Sequence, residues 1–592
     1  MSTSYGNDSK DKILHKLFRK SELSYAVSDL SKAIGPIIDL MFTSLFIGPA
    51  GVTVMGYVSP LIMLFEFIGT DISSGSRNKA SSLLGAGNLD EVNKVFSASV
   101  ASGGILSLTT ALVVCVLCSS VSIILGAREP QVFEMTKQYI FGYIIGLPFF
   151  TLTRILTPYL QMEGQYLRVN AISILTTVVD LAADVFVIFV LHGGMFELAL
   201  GTSLGYIVSF LVGAVFFLPH KKRSVFQFSF RGIDMKTCLE TIYLGAPAGM
   251  VKGSNAVGGM LINNMLTAFN LPYFVAAYGV FSQLLVFIRS AWYAPADTLH
   301  AFAGIFIGEE DRVSLKEVHK ISLTNALLYC CAVTAGLFIF AVPLARVFLK
   351  SNDPEALRMA VECIRISCFV VPFHAVVYNF NNYLMTVKRL RFCNIYSFLM
   401  ECGSIVPITF FMLFLTGYRG AWISKVVSMF VLYIIAAVYV NRNGEGKTYQ
   451  DKMLLLPESF GIPPENEIAV YASSTEEIVD LSRLAVAFAA EHGADRKKAK
   501  TFGLITEELA GVLTEHGFSD GRTHNINARL VAKGEELIIR MRDDCKPFNI
   551  TEYYRMVRES HENDAGIAII MKLSKSVTYT NALGTNNLIV KI

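Results

Sequence analysis

The sequence predicts an all-α polytopic membrane protein, with twelve transmembrane helices in two six-helix lobes, followed by a small α/β domain. Three observations predict this fold class. The 592-residue chain has a mean hydropathy of +0.48 and only 17% charged residues, a composition unlike that of soluble proteins. Apolar stretches of about 20 residues, the length that crosses a bilayer core, recur along the chain. After residue 441 the chain turns polar, and short strand-like and helix-like stretches alternate.

Twelve apolar stretches account for the predicted spans, and most are long enough for a hydrocarbon core of about 30 Å. A basic, amphipathic segment at 1–24 precedes them and has no signal-peptide cleavage site, so we expect a cytoplasmic lead-in. The stretches lie at 27–48, 52–75, 96–124, 137–160, 168–190, 196–218, 240–268, 273–300, 320–349, 358–386, 391–415 and 420–440.

The membrane region repeats itself, which predicts two lobes. The segment PYLQMEGQYLRVNAISIL from Pro158 resembles NYLMTVKRLRFCNIYSFL from Asn382, and LLGAGNLDEVNKVF around Gly85 resembles FIGEEDRVSLKEVH around Gly308. Two similar halves joined by a basic loop are typical of transporters. The predicted units are an N-lobe at 25–219, an inter-lobe loop at 220–239, a C-lobe at 240–441, a linker at 442–465 and a C-terminal domain at 466–592.

Lysine and arginine residues are concentrated in alternate loops, which predicts the orientation in the membrane. With the N-terminus inside, the inner loops carry roughly three times as many of these residues as the outer loops, among them Arg77, Lys79 and the run 221–223. We therefore expect a multi-pass protein of the plasma membrane with both termini in the cytoplasm.

The pair Asp180 and Asp184 is the most informative feature of the membrane region. Both residues lie in the apolar stretch TTVVDLAADVFVIFVL, and a spacing of four places them on one face of a helix. A charged aspartate at mid-bilayer costs about 2.5–3.5 kcal/mol on insertion scales, so two in one span indicate a function. Two close carboxylates are suited to take up a proton, as an ion-driven transporter requires. The alternatives are a helix end at the lipid headgroups and a polar contact between helices.

Four segments carry a resemblance to a known family: FIGPAG, SSGSRNKASSLLGAGN, YLQMEGQYLRVN and VDLAADVFVIF. In these segments, and over about residues 25–441, the chain resembles the multidrug and toxic compound extrusion (MATE) transporters. The resemblance implies a V-shaped fold with a central cavity. It also implies outward export of small organic compounds, cationic or amphiphilic, coupled to inward H⁺ or Na⁺ without any further cofactor.

The resemblance also implies an ion-coupling site in the N-lobe. Asp184 matches an acid in the family's fifth helix, and Asp180 stands where the family usually has Asn. Thr43 aligns with a first-helix position that is often acidic, and the nearest acid here is Asp39, one turn earlier on the same face. Two carboxylates and a hydroxyl leave both ions open, with Na⁺ bound at Asp180 and Asp184 as one alternative.

Further polar residues interrupt the apolar stretches. Charges at membrane depth usually face the bundle interior or a wet cavity, so these side chains are candidates for contact with a substrate. Pairing with one another is an equally weighted alternative. The candidates are Glu66, Asp71, Lys252, Asn255 and Arg289.

The C-terminal domain resembles the histidine-kinase/HSP90-like (GHKL) ATPase fold, closest to anti-sigma-factor serine kinases, in EELAGVLTEHGF, RDDCKPFN and DAGIAIIMKLS. The resemblance implies that Glu508 is the general base, that Asp543 reads adenine, and that Gly566 belongs to the phosphate lid.

Three departures from that pattern argue against catalysis. Val512 stands where the family has its Mg²⁺-binding Asn, and an isopropyl group offers no oxygen ligand. Cys545 and Ala568 stand where the family has glycines near the nucleotide. The sequence therefore favours a degenerate domain that binds a cytoplasmic protein over a weak nucleotide sensor, and both over an active kinase.

The leading functional prediction is a secondary active exporter of small molecules with a regulatory, ATPase-like domain and no catalytic residues. Within transport, the alternative is a flippase for lipid-linked sugars. From another class, the alternative is a membrane-anchored serine kinase or signalling protein. No nucleic-acid partner and no metal site other than one for Na⁺ are expected.

Overall fold

The fold is taken from a computed structural model that describes residues 7–217, 225–268, 274–348, 354–472, 475–513, 515, 524, 526–560 and 565–592. Within these ranges the membrane region is entirely helical, and the only sheet lies in the C-terminal domain, as the sequence predicts. The start of the predicted inter-lobe loop, 220–224, lies outside the described residues.

Seven helices form the N-lobe. The first begins well inside the predicted basic segment and runs unbroken into the first span, where Thr43–Ile47 continue it as a π-helical turn. A second π-helical turn, Val187–Leu191, follows the sixth helix. The helices are α1 Asn7–Phe42, α2 Pro49–Gly85, α3 Leu89–Val116, α4 Cys118–Ile124, α5 Pro130–Met162, α6 Tyr166–Phe186 and α7 Met195–Ala214.

Ten helices form the C-lobe, because several of its spans are broken. The tenth predicted span consists of two helices that meet at an angle of 45°. A π-helical turn, Leu399–Gly403, interrupts the eleventh. The helices are α8 Met235–Ala268, α9 Phe274–Ile288, α10 Ser290–Gly308, α11 Arg312–Ile339, α12 Ala341–Phe348, α13 Pro354–Ser367, α14 Val370–Thr386, α15 Leu390–Phe398, α16 Ile405–Thr416 and α17 Tyr418–Asn443.

Membrane crossing is supported by helix length and composition. In the described part of the chain, nine helical segments are long and apolar enough to span a bilayer, or ten if the bent pair α13–α14 counts as one span. The helices α8, α9 and α10 occupy the places of the seventh and eighth predicted spans but fall short of that test. The protein is thus a multi-pass membrane protein, and the number twelve stays a prediction.

The sequence repeat corresponds to equivalent loops in the two lobes. Asn88 begins α3 by accepting a hydrogen bond of 3.3 Å from the backbone N–H of Glu91. Asp311 begins α11 in the same way, with 2.9 Å to the N–H of Ser314. Such side-chain caps satisfy backbone donors that a helix start leaves free. Residues of both loops, Gly85 and Asp311 among them, line one cavity, so the two loops lie at the same end of the bundle.

At that end the two lobes are in backbone contact through glycines. A Cβ on Gly75 of α2 would lie 1.8 Å from the carbonyl oxygen of Thr241, and one on Gly245 of α8 would lie 1.8 Å from that of Asp71. Farther along α2, a Cβ on Gly85 would lie 2.0 Å from the Ile305 carbonyl oxygen. Only glycine permits these approaches. We call this the closed end of the bundle.

The C-terminal domain is a five-stranded antiparallel sheet with helices on one face, in the strand order β1-β2-β3-β5-β4. The sequence patterns predict helices over 475–493, 499–518 and near 563–574 and a hairpin around Lys533-Gly534. The hairpin and helices at these places are present in the described residues, whereas the helix over 550–560 is not predicted. The elements are β1 Glu467–Ala472, α19 Thr475–Glu491, α20 Arg496–Val512, β2 Ile526–Lys533, β3 Glu536–Asp543, α21 Ile550–Ser560, α22 Ala565–Leu573, β4 Ser576–Ala582 and β5 Thr585–Lys591.

The segment between α17 and the domain, predicted as a polar linker, is bound to the C-lobe. It contains one short helix, α18 Tyr449–Met453. Leu454 and Leu455 are almost fully buried. The hydroxyl of Tyr383 donates a 2.8 Å hydrogen bond to the carbonyl of Leu454, and Lys316 pairs with Asp451 at 2.9 Å. The segment therefore holds the domain against the bundle.

Candidate functional site

Three carboxylates meet inside the N-lobe. Carboxylate oxygens of Asp39 on α1 and of Asp180 and Asp184 on α6 all lie within 4.8 Å of one another. All three residues are buried, and Thr43 is fully buried one turn beyond Asp39. We call these four residues the acid cluster. The structure thus brings together the four residues that the sequence singles out for ion coupling.

The acid cluster is short of hydrogen-bond donors. Asp39 Oδ1, Asp180 Oδ1, both oxygens of Asp184 and Thr43 Oγ1 are buried and have no hydrogen-bond partner among the described residues. None of the three acids forms an ion pair within the described ranges. Three carboxylates in low dielectric cannot all be ionised without a counter-charge, so this arrangement suits a bound proton or cation. Oxygens at these separations can share one ion at about 2.4 Å from each.

Small residues and irregular helix turns let the two helices approach at the cluster. A Cβ on Gly35 would lie 3.4 Å from Asp180 Oδ2, and one on Gly201 of α7 would lie 3.4 Å from Asp184 Oδ1. Pro36 removes a backbone donor from α1 one turn before Asp39. The π-helical turns begin at Thr43 and Val187, next to the acids, and such turns often mark functional sites.

Glu401 of the C-lobe is a buried acid with different surroundings. Glu401 lies in the π-helical turn Leu399–Gly403. Its Oε1 accepts a hydrogen bond from the Tyr378 hydroxyl, and its Oε2 accepts one of 2.7 Å from Asn255 Nδ2. Asn255, a predicted cavity residue, is therefore a partner of this carboxylate. Both oxygens of Glu401 are satisfied, in contrast to those of the acid cluster.

Three of the predicted cavity residues form ion pairs between the lobes. Lys252 Nζ of α8 lies 3.1 Å from Glu66 Oε2 of α2. Arg289 Nε, just before α10, lies 3.0 Å from Asp29 Oδ2 of α1. Their side chains are 22–29% exposed. The fourth charged candidate, Asp71, is buried at the closed end, and its Oδ1 has no partner in the described chain.

Three charged residues near these inter-lobe ion pairs are not among the candidates that the sequence gives. Arg154 of α5 lies 3.6 Å from the second oxygen of Glu66, Asp29 pairs as described, and Lys32 of α1 interacts electrostatically with Arg154, Asp29 and Arg289. All three lie within the apolar stretches predicted as spans, so a search for every charge inside those stretches finds them.

In the C-terminal domain, Asp543 and Val512 line one small cavity together with Asn586. Asp543 Oδ1 accepts hydrogen bonds from Asn586 Nδ2 at 2.6 Å and from the backbone N–H of Cys545 at 3.0 Å. Burial raises the pKa of Asp543 above its ordinary value, and the bond from Asn586 opposes that shift. The cavity therefore contains one carboxylate and, at Val512, no oxygen for a metal.

The other two residues of the predicted nucleotide site stand apart from this cavity. Glu508 is half-buried on α20, and Gly566 lies at the start of α22. Neither is among the residues that line the cavity. The predicted site is thus only partly assembled.

Comparison with known proteins gives a consistent result for the membrane region. The MatE family model matches residues 25–186 and 247–411. The chain is 22% identical over 445 residues to the multidrug export protein MepA of Staphylococcus saprophyticus, covering 72% of this chain and 97% of that protein. It is 21% identical over 426 residues to MepA of Staphylococcus aureus strain MSSA476, covering 71% and 92%.

Solved structures show the same fold. The MATE transporter VcmN of Vibrio cholerae, in its bent form, is 17% identical, with a TM-score of 0.67 over 75% of this chain and 98% of that one. A MOP superfamily transporter of Pyrococcus furiosus, for which a reverse polarity of the binding pocket suggests a different function, is 16% identical, with a TM-score of 0.68 over 72% and 95%. These relatives are matched over almost their whole length, and the matches leave about a quarter of the present chain uncovered.

Proposed function

The chain belongs to the MatE family of multidrug and toxic compound extrusion transporters, and from this premise we propose that it is an antiporter that exports small amphiphilic organic compounds in exchange for H⁺ or Na⁺. The family comprises ion-coupled transporters rather than enzymes and needs no further cofactor. The observation that carries the proposal is the acid cluster, in which three buried carboxylates have no ion pair and too few hydrogen-bond donors among the residues that the structure describes.

The coupling ion acts by changing the charge of the acid cluster. Without an ion, repulsion between Asp39 and the pair Asp180–Asp184 pushes α1 and α6 apart, and ion binding removes that repulsion. The ion must bind one arrangement of the lobes more tightly than the other, because equal affinity would shift nothing. Each charge that moves inward down 100 mV supplies about 2.3 kcal/mol for export.

Helix α1 is suited to pass this change to the other lobe. Besides the acid cluster it carries Asp29, which pairs with Arg289, and Phe18, whose ring lies 5.3 Å from that of Phe302 on α10. A movement of α1 at Asp39 therefore strains contacts with the C-lobe. Pro36, between the two places, provides a point at which the helix bends.

The closed end faces the cytoplasm in this proposal. The start of α1 packs there, since Leu17 and Phe18 share a buried cluster with Leu454 and Leu583. The start of α1 and the C-terminal domain thus lie at the same end of the bundle, where the loops are also rich in lysine and arginine. A plasma-membrane protein with a closed cytoplasmic end would present its central cavity to the outside.

The C-terminal domain has a regulatory role because it contacts loops of both lobes at the closed end. On the C-lobe side, Arg542 pairs with Glu309 at 2.5 Å, Arg529 with Asp311 at 3.2 Å and Lys533 with Glu310 at 2.7 Å. These acids form one run at the start of α11. The Arg529 and Arg542 pairs are largely buried, so loss of one partner leaves a buried charge uncompensated, whereas the Lys533 pair is exposed.

On the N-lobe side, the contact is made by backbone atoms. The N–H of Leu583 donates a 2.6 Å hydrogen bond to the carbonyl of Met162, and a Cβ on Gly164 would lie 2.2 Å from Gly584. Gly584 has a φ of +77°, which glycine adopts without strain. Since the lobes must separate at this end during transport, the domain slows that step until one set of contacts breaks.

The domain acts without catalysis in this proposal. The domain, which resembles the histidine-kinase-like fold in sequence, serves as a support. Among its described residues, Val512 offers no ligand to Mg²⁺, and Glu508 and Gly566 lie outside the cavity lined by Asp543. Asp543 serves the fold by binding Asn586 across strands β3 and β5. A cytoplasmic protein that binds the exposed face would then change the transport rate.

The Asp184→Asn variant tests the proposal. In proteoliposomes with an imposed H⁺ or Na⁺ gradient, gradient-driven efflux is expected to fall by at least about 100-fold, because Asn cannot take up a proton and offers Na⁺ no negative charge. Glu401→Gln is the matched control, since that acid is also buried among the helices but both of its oxygens have partners. Undiminished, gradient-dependent efflux in Asp184→Asn would exclude this role, and comparison of the two gradients identifies the ion.

A further inference from the structure

The charged groups between the lobes carry an excess of positive charge. Four cations, contributed by three N-lobe and C-lobe helices and the start of α10, face two carboxylates, Asp29 and Glu66. The four cations are Lys32, Arg154, Lys252 and Arg289, and we call them the basic group. The neighbouring Arg77 does not add to this excess, because Asp297 balances it at 3.1 Å.

The carboxylates are shared in a way that leaves cations without full compensation. Glu66 alone faces Lys252 at 3.1 Å and Arg154 at 3.6 Å. Asp29 is engaged by Arg289. Lys32 is exposed and has no ion pair or hydrogen bond in the described parts of the chain. The buried Nε of Arg154 likewise has no partner there.

These cations face the space between the lobes rather than lipid. The charges that act on Lys32 come from both lobes, Arg154 from the N-lobe and Arg289 and Asp297 from the C-lobe. The side chains of Arg154, Lys252 and Arg289 are 18–27% exposed although they lie within the helix bundle. A cation at membrane depth is costly unless water or an anion accompanies it.

Aromatic rings next to the basic group offer a place for an apolar body. The guanidinium of Arg154 lies 5.0 Å from the centre of the Phe150 ring. Phe67, next to Glu66, packs against Gly249 of α8, where a Cβ would come within 2.9 Å of the ring. Planar guanidinium groups bind carboxylate, sulfonate and phosphate oxygens in pairs, and ammonium groups add charge.

We propose that the basic group binds the anionic group of an amphiphilic organic compound, a carboxylate, sulfonate or phosphate, so that the exported compounds are anionic or zwitterionic. This inference deepens the proposed function and rests on it. It differs from the expectation of a cationic substrate that the sequence resemblance implies. In the substrate-free protein the Glu66 carboxylate occupies the position of the substrate anion. Substrate binding displaces this carboxylate from Arg154 and Lys252.

Binding to the purified full-length protein in detergent tests this directly, without requiring transport. The probes are two xanthene dyes of similar size, the doubly sulfonated sulforhodamine B and the cationic rhodamine 6G, and the readout is fluorescence anisotropy. We expect sulforhodamine B to bind at least about tenfold more tightly than rhodamine 6G, because its sulfonates accept charge-assisted hydrogen bonds from the basic group. Binding of neither dye, or tighter binding of rhodamine 6G, would overturn the proposal.

Two variants act in opposite directions on the affinity for sulforhodamine B. Lys32→Gln should weaken it about tenfold, and Glu66→Gln should strengthen it severalfold by removing the internal competitor. A merely structural Glu66 would weaken binding when replaced, which would contradict the proposal. Lys94→Gln, at an exposed lysine paired with Glu91 on α3, is the matched control and should leave affinity unchanged.

The two proposals fail separately in this design. If sulforhodamine B binds with this charge dependence but no ion gradient drives its efflux from proteoliposomes, the antiport proposal fails and the site stands. If gradient-driven efflux occurs only for rhodamine 6G, the antiport proposal stands and the anionic site is excluded.

Discussion

The acid cluster and the basic group are two polar sites of opposite charge that share one helix. Asp39 and Lys32 are seven residues apart on α1, about 10 Å along a helix axis. The acid cluster lies within the N-lobe and has no counter-charge among the described residues, whereas the basic group spans both lobes and is paired with carboxylates. The difference supports the proposal that ion and substrate bind at separate sites, connected by α1.

The separation has a consequence for coupling. An antiporter needs the ion and the substrate to favour different lobe arrangements, not to compete for the same atoms. Because Asp29 and Arg289 link α1 to the C-lobe, a substrate that loosens the inter-lobe pairs changes the position of α1 at the acid cluster. By thermodynamic reciprocity, ion binding at the acid cluster changes the affinity of the basic group for substrate by the same factor.

The largest expected effect is a crossed pair of variants on α1. Asp39→Asn should reduce gradient-driven efflux by about 100-fold while sulforhodamine B affinity changes less than about twofold. Lys32→Gln should instead weaken dye binding and keep the dependence on the gradient. Efflux and binding assays on both proteins check this, and equal loss of both properties in both variants would show that the two sites are one.

The next largest effect is expected at the closed end, which must open before the acid cluster and the basic group can be reached from that side of the membrane. Gly245→Ala places a methyl group against the carbonyl of Asp71, so we expect the lobes to separate there and transport to fall by about tenfold. Spin labels at Lys94 and Val313 would report a longer distance. Gly259→Ala, on the same helix in open space, is the control. An unchanged distance distribution in Gly245→Ala would contradict the account.

A smaller effect is expected where the C-terminal domain contacts the C-lobe. Arg542→Glu should raise the transport rate severalfold, because repulsion from Glu309 releases the closed end. Glu309→Arg in the same protein should restore the original rate. Lys533→Glu, which breaks the exposed pair with Glu310, should change little. If Arg542→Glu and Lys533→Glu changed the transport rate equally, the proposal that the domain slows the opening of the closed end would be contradicted.

The smallest effect is expected at the cavity of the domain. Isothermal titration of the full-length protein with Mg-ATP should show no metal-dependent binding, because Val512 offers no ligand to Mg²⁺. Asp543→Asn should leave the transport rate within about twofold of the original. Tight binding that disappears on removing Mg²⁺ would instead make the domain a nucleotide sensor.

Local spacing made one half of the acid cluster predictable. The interval of four between Asp180 and Asp184 fixes a shared helix face, whereas Asp39 and Thr43 were indicated by the family resemblance. The sequence also predicts the strands and the hairpin of the C-terminal domain, because period-two patterns and Gly534 are local signals.

Of the basic group, the sequence indicated Lys252 and Arg289 but not Lys32 or Arg154. Lys32 and Arg154 lie near the ends of their predicted spans, where a charge is ordinarily solvated by headgroups. Their meeting with Lys252 and Glu66 depends on how two lobes pack, and no spacing in the chain encodes that. The burial of Leu454 and Leu455 against the C-lobe could not be predicted either, because it is a tertiary contact made by a segment that is polar as a whole.

The most direct test of the separate acid cluster is the ion released when a substrate binds. Sulforhodamine B is added to purified protein, and proton release is recorded without Na⁺, or ²²Na⁺ release with it. The account predicts that the original protein releases one of these ions, and that Asp184→Asn binds the dye but releases neither. Equal release from Asp184→Asn, or none from the original protein, would contradict it.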